Sequence, residues 1–363
     1  MGTENEKYEY WLNRIRGIGV RKRQILLAEG RTAKDIFQMK KEELLKIPFL
    51  AEGDVKRILT DRREYDPESA FGELEAAGIR FISKTNPKYP KRLAQIADAP
   101  DALYLKGKLP GENILSVAIV GARCCSEYGR ALAGEIAECL AGEGVQILSG
   151  MARGVDSAGH IGALRAGGTT FAILGCGVDV CYPPENQKLY EEIQNRGGII
   201  SEYPPKIAPI GAFFPARNRI LSGMSDIVVV IEAREKSGSL ITADFAMEQG
   251  KDVYALPGRV TDRLSGGCNR LIKQGAGVIL SAEDFIKDLK IEAQSRGKVD
   301  NFKKNLLEKR EMVVYSGLDF EPRSLDEIME RTGMMLSEVS GILIGLQQKG
   351  KIKEVFKNYY VRS

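Results

Sequence analysis

The stretch FFPARNRILSGMSDIVVVIEAREKSGSLITADF, residues 213–245, decides the fold of this chain. Residues 226–231 form a nearly continuous β-branched run, which predicts a parallel strand buried on both faces. Ser237-Gly238-Ser239 follows and opens a predicted helix, whose N-terminus favours anions. Arg217-Asn218-Arg219 precedes the strand in what we expect to be a basic turn, where guanidinium groups can bind phosphate oxygens. The stretch therefore predicts an anion site at the carboxyl end of a sheet.

Strand-like and helix-like segments alternate on both sides of this stretch. The predicted strands are residues 115–120, 145–148, 170–174, 198–201, 252–255 and 277–279, and the predicted helices between the earlier ones are residues 127–141, 156–166 and 184–196. Such βαβ alternation predicts an α/β domain with a doubly wound, Rossmann-like parallel sheet, here residues 72–288. We expect short strands at residues 81–82 and 103–105 to extend that sheet.

The length of 363 residues predicts two or three domains, and residues 1–65 are predicted to form a helical one. Two short helices flank Gly17-Ile18-Gly19, with Arg21-Lys22-Arg23 opening the second, which resembles a helix-hairpin-helix or SAM-like domain. A second hairpin at residues 47–50 lacks its second glycine. Residues 61–71 are polar, carry a proline and are expected to be a linker. DNA contact and protein docking remain equally open for this domain.

The C-terminal part is predicted to be a separate domain. Residues 289–310 are expected to form a basic linker and residues 311–363 a winged-helix-like domain. Its helices should be residues 324–332 and 337–348, joined at Gly333, followed by a hairpin at residues 351–361. The second helix has no arginine on its surface, which favours protein contact over duplex DNA contact.

Composition narrows the class of protein. The chain is 43% hydrophobic without a long apolar run, and its N-terminus is polar, so we expect a soluble cytoplasmic protein without membrane contact. Six cysteines without a CxxC pair and the single His160 are too few for a zinc site, and no cofactor is expected. The net charge is only +4, so a polyanion site requires a local cluster of arginines and amides.

Four βα turns rich in glycine or basic residues should meet at the carboxyl-end rim of the sheet. They are Gly121-Ala122-Arg123, residues 149–154, Gly175-Cys176-Gly177 and Ser237-Gly238-Ser239. No GxGxxG or GxxxxGK[ST] motif is present, which disfavours a nucleotide cofactor. His160 lies within a predicted helix and is interpreted as a structural residue. The sequence shows no nucleophile paired with a general base. The rim is therefore expected to be a ligand groove without catalytic residues.

Seven motifs occur in order: VGAR at 120–123, SGMARGVD at 149–156, LGCGVD at 174–179 with YP at 182–183, FPARNR at 214–219, SGSLITA at 237–243, ALPG at 255–258 and GCN at 267–269. Together they resemble the DNA processing protein A family (DprA, also called Smf), over nearly the whole chain. The resemblance implies a single-stranded DNA-binding protein, homodimeric through its Rossmann-like domain. It also implies that the protein protects incoming DNA and loads the RecA recombinase in natural transformation, without enzyme activity.

The resemblance places a DNA phosphate site on particular residues, with Arg123 as the best candidate for a phosphate contact. The full set is Gly121, Arg123, Ser126, Ser149, Gly150, Arg153, Gly154, Phe214, Arg217, Asn218, Arg219, Ser237, Gly238, Ser239 and Thr242. Phe213 or Phe214 is expected either to stack on a base or to anchor the loop. Asn269 is expected to tie neighbouring loops together.

A nucleotide-processing enzyme is the alternative, because related Rossmann-like folds hydrolyse nucleoside monophosphates. Those enzymes place a glutamate after a PGGxGT loop. Here the loop is KSGSLIT, residues 236–242, and the next acid is Asp244. The discriminating glutamate is missing, which favours a DNA-binding protein that is not an enzyme.

Overall fold

The N-terminal part is helical in this computed structural model, which describes residues 4–289 and 309–362. Its helices are α1 (Glu4–Arg14), α2 (Val20–Leu26), α3 (Ala33–Gln38), α4 (Lys41–Leu44), α5 (Glu52–Glu64) and α6 (Pro67–Ala76). They enclose a core that includes Trp11, Leu26 and Ile58. Gly17, at φ 85°, turns the chain between α1 and α2 as the hairpin pattern predicts. In the second hairpin, Phe49 takes the left-handed conformation at φ 64° and its side chain is 88% exposed.

The linker predicted at residues 61–71 is wrong, because these residues belong to two helices. Helix α5 continues to Glu64, and α6 begins at Pro67. The Asp66 carboxylate caps α6 by accepting the N–H groups of Glu68 and Ser69. An Asp-Pro pair therefore starts a helix here, since proline lacks only an N–H that the first turn leaves unpaired anyway.

A mixed sheet forms the centre of the molecule, with nine strands among the described residues. The strands are β1 (Arg80–Ser83), β2 (Ala102–Gly107), β3 (Ser116–Val120), β4 (Gln146–Ser149), β5 (Thr170–Ile173), β6 (Gly198–Ser201), β7 (Ile227–Val230), β8 (Asp252–Ala255) and β9 (Gly277–Val278). Their order is β1-β2-β6-β5-β4-β3-β7-β8-β9. Strands β3 to β9 are mutually parallel, whereas β1 and β2 extend the β6 edge in antiparallel pairing.

Helices cover both faces of the sheet, which confirms the doubly wound prediction. They are α7 (Lys91–Ala94), α8 (Glu127–Gly142), α9 (Val155–Arg165), α10 (Gln187–Arg196), α11 (Phe213–Gly223), α12 (Gly238–Glu248), α13 (Gly266–Lys273) and α14 (Ala282–Asp288). Strand β7 is buried along its length: Val228 and Val230 enter one core, while Ile227 and Val229 enter the other. This two-residue period explains why a continuous β-branched run marks the central strand.

The topology contains one switch point. From β3 the chain adds β4, β5 and β6 on one side, and then crosses to place β7, β8 and β9 on the other. The loops after β3 and β7 consequently diverge to opposite faces and open a crevice at the carboxyl end of the sheet. Ligands of open α/β sheets bind in such crevices.

The C-terminal part has the winged-helix arrangement that its sequence predicts. It contains α15 (Lys309–Gly317), β10 (Arg323–Ser324), α16 (Leu325–Thr332), α17 (Leu336–Gln348), β11 (Ile352–Phe356) and β12 (Tyr359–Arg362). Gly333, at φ 67°, ends α16 in the left-handed conformation. Most of the basic linker predicted at 289–310 lies outside the described residues, and α15 already includes 309–310.

The winged helix and the sheet domain meet near the start of α8. Tyr128 and Phe320 pack edge to face with ring centroids 5.2 Å apart, and Lys353 Nζ lies 2.8 Å from Glu127 Oε2. Within residues 4–289 and 309–362, no helix combines the length and the apolar character needed to cross a bilayer.

Candidate functional site

A cavity of 540 Å³ occupies the switch point between β3 and β7. Its walls are the loops after β3, β4, β5 and β6, helix α11 and the start of α12. We call it the switch-point groove, and its lining residues are Val120, Gly121, Arg123, Ala152, Asp156, Tyr182, Pro209, Gly211, Phe214, Pro215, Arg217, Asn218, Leu221, Ser237, Gly238, Ser239 and Thr242. The predicted convergence of βα turns into one groove is thus confirmed for three of the four turns.

Helix α11 forms one wall of the groove. The sequence predicts a basic turn here, and that prediction is wrong, because the segment is helical from Phe213 to Gly223. Phe214, Arg217, Asn218 and Leu221 line the groove because their spacing of three, four and seven residues puts them on one helix face. Pro215 is compatible with the helix since it lies in the first turn.

Arg123 and two aromatic rings form the mouth of the groove. The Arg123 guanidinium lies over the Phe214 ring, 5.3 Å from its centroid, and the Tyr182 ring packs against Phe214 at a centroid distance of 5.5 Å. Arg123 is exposed, and it has no acidic partner within the described part of the chain. A positive charge held on an aromatic platform suits a ligand that carries both phosphates and bases.

Arg217 lies deeper in the groove and is 4% exposed. Its Nη2 donates to the Gly150 carbonyl at 2.9 Å, whereas its Nε has no hydrogen-bond partner among the described atoms. A Cβ on Gly150 would lie 1.7 Å from Arg217 Nη1, so only glycine leaves room for this guanidinium. The nearby Asp156 carboxylate partly offsets the charge of Arg217, but a buried donor without an acceptor is energetically costly unless a ligand supplies one. The groove therefore has a built-in preference for anions.

The N-terminus of α12 closes the groove opposite α11. Ser237 is the N-cap residue, and its hydroxyl group interacts with Ser239 Oγ at 2.7 Å. Asn218 Nδ2 donates to the Gly238 carbonyl at 3.2 Å and so connects α11 to this turn. Thr242 lies one helical turn further along. First-turn N–H groups and the helix dipole add a second source of anion affinity.

Two buried titratable groups lie next to Arg217. The Asp156 carboxylate accepts the N–H groups of Gly150 at 3.1 Å and Ala152 at 3.3 Å, while burial raises its pKa and the charge of Arg217 opposes that rise. His160 Nδ1 pairs with Thr170 Oγ1 at 2.6 Å, and burial lowers the pKa of His160 to about 3. His160 is therefore neutral at ordinary pH, which agrees with its prediction as a structural residue.

The sequence was compared with models of known protein families. The model of DNA recombination-mediator protein A matches residues 80–290, more than half of the chain, and a DprA winged-helix model matches residues 305–355. This chain belongs to the DprA family. The resemblance seen in the seven motifs is thereby confirmed.

Individual DprA relatives agree with this assignment. The chain is 44% identical to DNA processing protein DprA of Streptococcus pneumoniae over 55% of this chain and 71% of that protein. It is 35% identical to protein Smf of Escherichia coli over 80% of each. The S. pneumoniae DprA structure matches with a TM-score of 0.66 at 33% identity, covering 79% of this chain and 99% of that one.

A second solved DprA structure concerns the Helicobacter pylori protein and describes its single-stranded DNA binding mode. It matches with a TM-score of 0.53 at 33% identity and covers 58% of this chain and 95% of that chain. Both solved structures combine a TM-score above 0.5 with 33% sequence identity to this chain, which is more than a shared fold alone requires. The Rossmann-like sheet is therefore a DprA feature.

Several residues of the DprA motifs lie outside the groove and have structural partners instead. Ser126 caps α8 by accepting the Gly129 N–H at 2.9 Å, and both its backbone and side chain donate to Glu232. Ser149 is buried and donates to the Ile119 carbonyl at 2.6 Å. These serines stabilise the rim, and the structure does not bring them to the groove surface.

The remaining predicted residues divide between surface and scaffold. Arg219 points away from the groove and binds Glu202 at 2.7 Å and Asp98 at 3.1 Å, with 12% of its side chain exposed. Arg153 forms an exposed ion pair with Glu185. Gly154, at φ 75°, packs so closely on the loop after β3 that a Cβ would lie 2.3 Å from the Ala122 carbonyl oxygen.

Three further residues have structural or lining roles, and the sequence left one of these roles open and did not predict another. Phe213 stacks on Tyr203 with ring centroids 4.1 Å apart and anchors the loop, so Phe214 is the groove aromatic. Asn269 binds both the N–H and the carbonyl group of Gly258, as expected of a residue that ties loops together. Tyr182 was not predicted as a site residue, although its place after β5 put it on the carboxyl-end rim.

Proposed function

We propose that the protein binds single-stranded DNA in the switch-point groove and acts as a DNA recombination mediator. In this proposal it protects incoming DNA and delivers it to the RecA recombinase during natural transformation. The observation that carries the proposal is Arg123 over Phe214 at the groove mouth, with the buried Arg217 donor beneath and the α12 N-terminus opposite. The DNA-binding H. pylori relative and the recombination-mediator family model support it.

The groove can bind a single strand through two kinds of contact. Arg123, the Arg217 guanidinium and the first-turn amides of α12 supply positive charge and donors for phosphate oxygens. The exposed ring of Tyr182 and the half-buried ring of Phe214 line the groove and offer faces on which an unpaired base can stack. A duplex keeps its bases stacked on one another, so it cannot use these rings, and we expect it to bind more weakly.

We further propose that the protein is a homodimer through its Rossmann-like domain. Two apolar side chains at the β9 edge of the sheet are exposed: Val278 is 36% and Leu280 76% exposed. An edge strand with apolar neighbours is an energetically favourable surface for a second copy. Sedimentation of a fragment of residues 111–288 at tens of micromolar is expected to show a dimer, and a monomer would contradict this part of the proposal.

The groove offers little support for hydrolysis of nucleotides. Its lining contains one carboxylate, Asp156, which is 7% exposed and already accepts two backbone N–H groups. A general base needs a carboxylate that can reach a substrate proton. We therefore favour DNA binding over the alternative of a nucleotide-processing enzyme.

A salt titration with single strands tests the proposal. Fluorescence anisotropy of labelled oligothymidine should give a log affinity that falls linearly with log salt, with a slope of about −0.7 per phosphate contact. The same samples are incubated with nucleoside monophosphates and assayed for hydrolysis products. Affinity that is independent of salt, or turnover of nucleotides without strand binding, would contradict the proposal.

A further inference from the structure

A second cavity separates the N-terminal helices from the sheet domain. It measures 930 Å³ and is lined by α1, α5, α6 and the loop after β6. We call it the N-terminal cleft, and its basic lining residues are Arg14, Arg16, Lys56, Arg57 and Lys206. We propose that this cleft is a second phosphate subsite for the same DNA strand, an inference that rests on the proposed function of the switch-point groove.

The ion pairs of the cleft leave three of these cations available. Arg14 lies 3.8 Å from Asp61, and Arg57 lies 3.0 Å from the buried Asp54. Arg16, Lys56 and Lys206 are exposed, and their side chains have no hydrogen-bond or ion-pair partner within the described ranges. Three unpaired cations around one cavity are what binding of several phosphates requires.

Among the described residues, four carboxylates line the cleft beside its five cations: Asp61, Glu64, Glu73 and Asp179. Asp179 accepts the Lys206 backbone N–H at 2.8 Å and so holds the loop. Of the charged residues with which α5 lines the cleft, Lys56 and Arg57 lie in the first half of the helix and Asp61 and Glu64 in the second, so that Lys56 and Glu64 are about 12 Å apart at the helical rise. A strand that contacts Lys56 can therefore stay away from Glu64 on the same helix.

One loop connects the cleft with the groove. Residues 204–207 line the cleft, while Pro209 and Gly211 line the groove. The stacked rings of Tyr203 and Phe213 close this loop at its base, and the Gly177 N–H donates to the Ile207 carbonyl at 2.9 Å. The loop therefore holds the two cavities in a fixed relation.

Lys206 takes a strained backbone conformation. Its φ is 64°, in the left-handed region that non-glycine residues rarely occupy. From Lys206 to Pro209 the backbone spans at most about 11 Å, a distance that about three to four nucleotides cover. A strand leaving the groove thus reaches the cleft within a few phosphates.

The test compares oligothymidines of about 5 and about 20 nucleotides, since the shorter fills only one cavity. The triple variant Arg16→Gln, Lys56→Gln, Lys206→Gln removes three charges and keeps side chains of substantial length. The matched control is Lys188→Gln, because Lys188 is exposed on α10 and lines neither cavity. Thermal melts establish that each variant is folded.

For the triple variant we expect affinity for the short strand within about twofold of wild type, and affinity for the long strand lower by tenfold or more at low salt. Its salt slope should be smaller by about 2, which is three contacts at 0.7 each. Equal loss for both lengths, or an unchanged long-strand affinity and slope, overturns the subsite. Binding of neither strand by wild type overturns the proposed function itself.

Discussion

Replacement of Arg123 by alanine tests the groove most directly. The guanidinium is exposed at the mouth, 5.3 Å above the Phe214 ring. A hydrogen bond that involves a charged group contributes about 1.5–3 kcal/mol, so Arg123→Ala should weaken single-strand binding by about 10- to 150-fold. The same substitution removes one cation–π contact at an exposed site, worth about 0.5–1 kcal/mol of folding stability. Binding should therefore change more than stability.

The ion pairs of the rim support this separation of effects. The Glu202 carboxylate is bound to Arg219 at 2.7 Å, and it forms no ion pair with Arg123. Arg123→Lys should restore only part of the affinity, because an ammonium group keeps the charge but loses the planar pair of donors. Arg165→Ala is the matched control, since Arg165 is an exposed arginine on the last turn of α9, away from the rim.

The assay is anisotropy of a labelled single strand at low and physiological salt, with a thermal melt of each variant. We expect Arg123→Ala to melt within about 4 °C of wild type, the shift that 1 kcal/mol produces in a domain of this size. Unchanged affinity in the folded Arg123→Ala protein would refute the phosphate assignment. A melting temperature that falls far more than this would instead make Arg123 a structural residue.

Two further predictions concern the scaffold around the groove. His160 has its pKa lowered to about 3, so the unfolded chain binds a proton below pH 6.5 that the folded protein does not, and stability falls as the pH decreases from 6.5 towards 3. Because of this group, urea unfolding should give a free energy of unfolding about 2 kcal/mol lower at pH 5 than at pH 8. His160→Gln should remove this difference, and an identical pH dependence in the variant would count against the low pKa of His160. Arg219→Ala leaves Glu202 without its partner and should lower stability by about 3 kcal/mol in urea unfolding. Lost DNA affinity at wild-type stability would show that Arg219 binds DNA after all.

The sequence alone determined the sheet and the position of the site. The β-branched residues 226–231 predicted the buried strand β7, because only a strand covered on both faces needs an uninterrupted apolar run. Arg123 and Ser237-Gly238-Ser239 were expected in one groove because parallel strands end at the same edge of a sheet. Both expectations depend on local pattern and on a general rule of topology.

Only the tertiary structure decided which polar residues face the groove. Arg217 and Arg219 are two residues apart, yet α11 turns one into the groove and the other towards Glu202, a carboxylate 17 residues earlier. Ser126 was predicted to bind phosphate but is bound to Glu232, which is 106 residues away. The partner of a side chain depends on the distances that packing sets between remote segments. In a helix, two residues that are two positions apart point to different faces, whereas a turn with the same sequence would orient them differently.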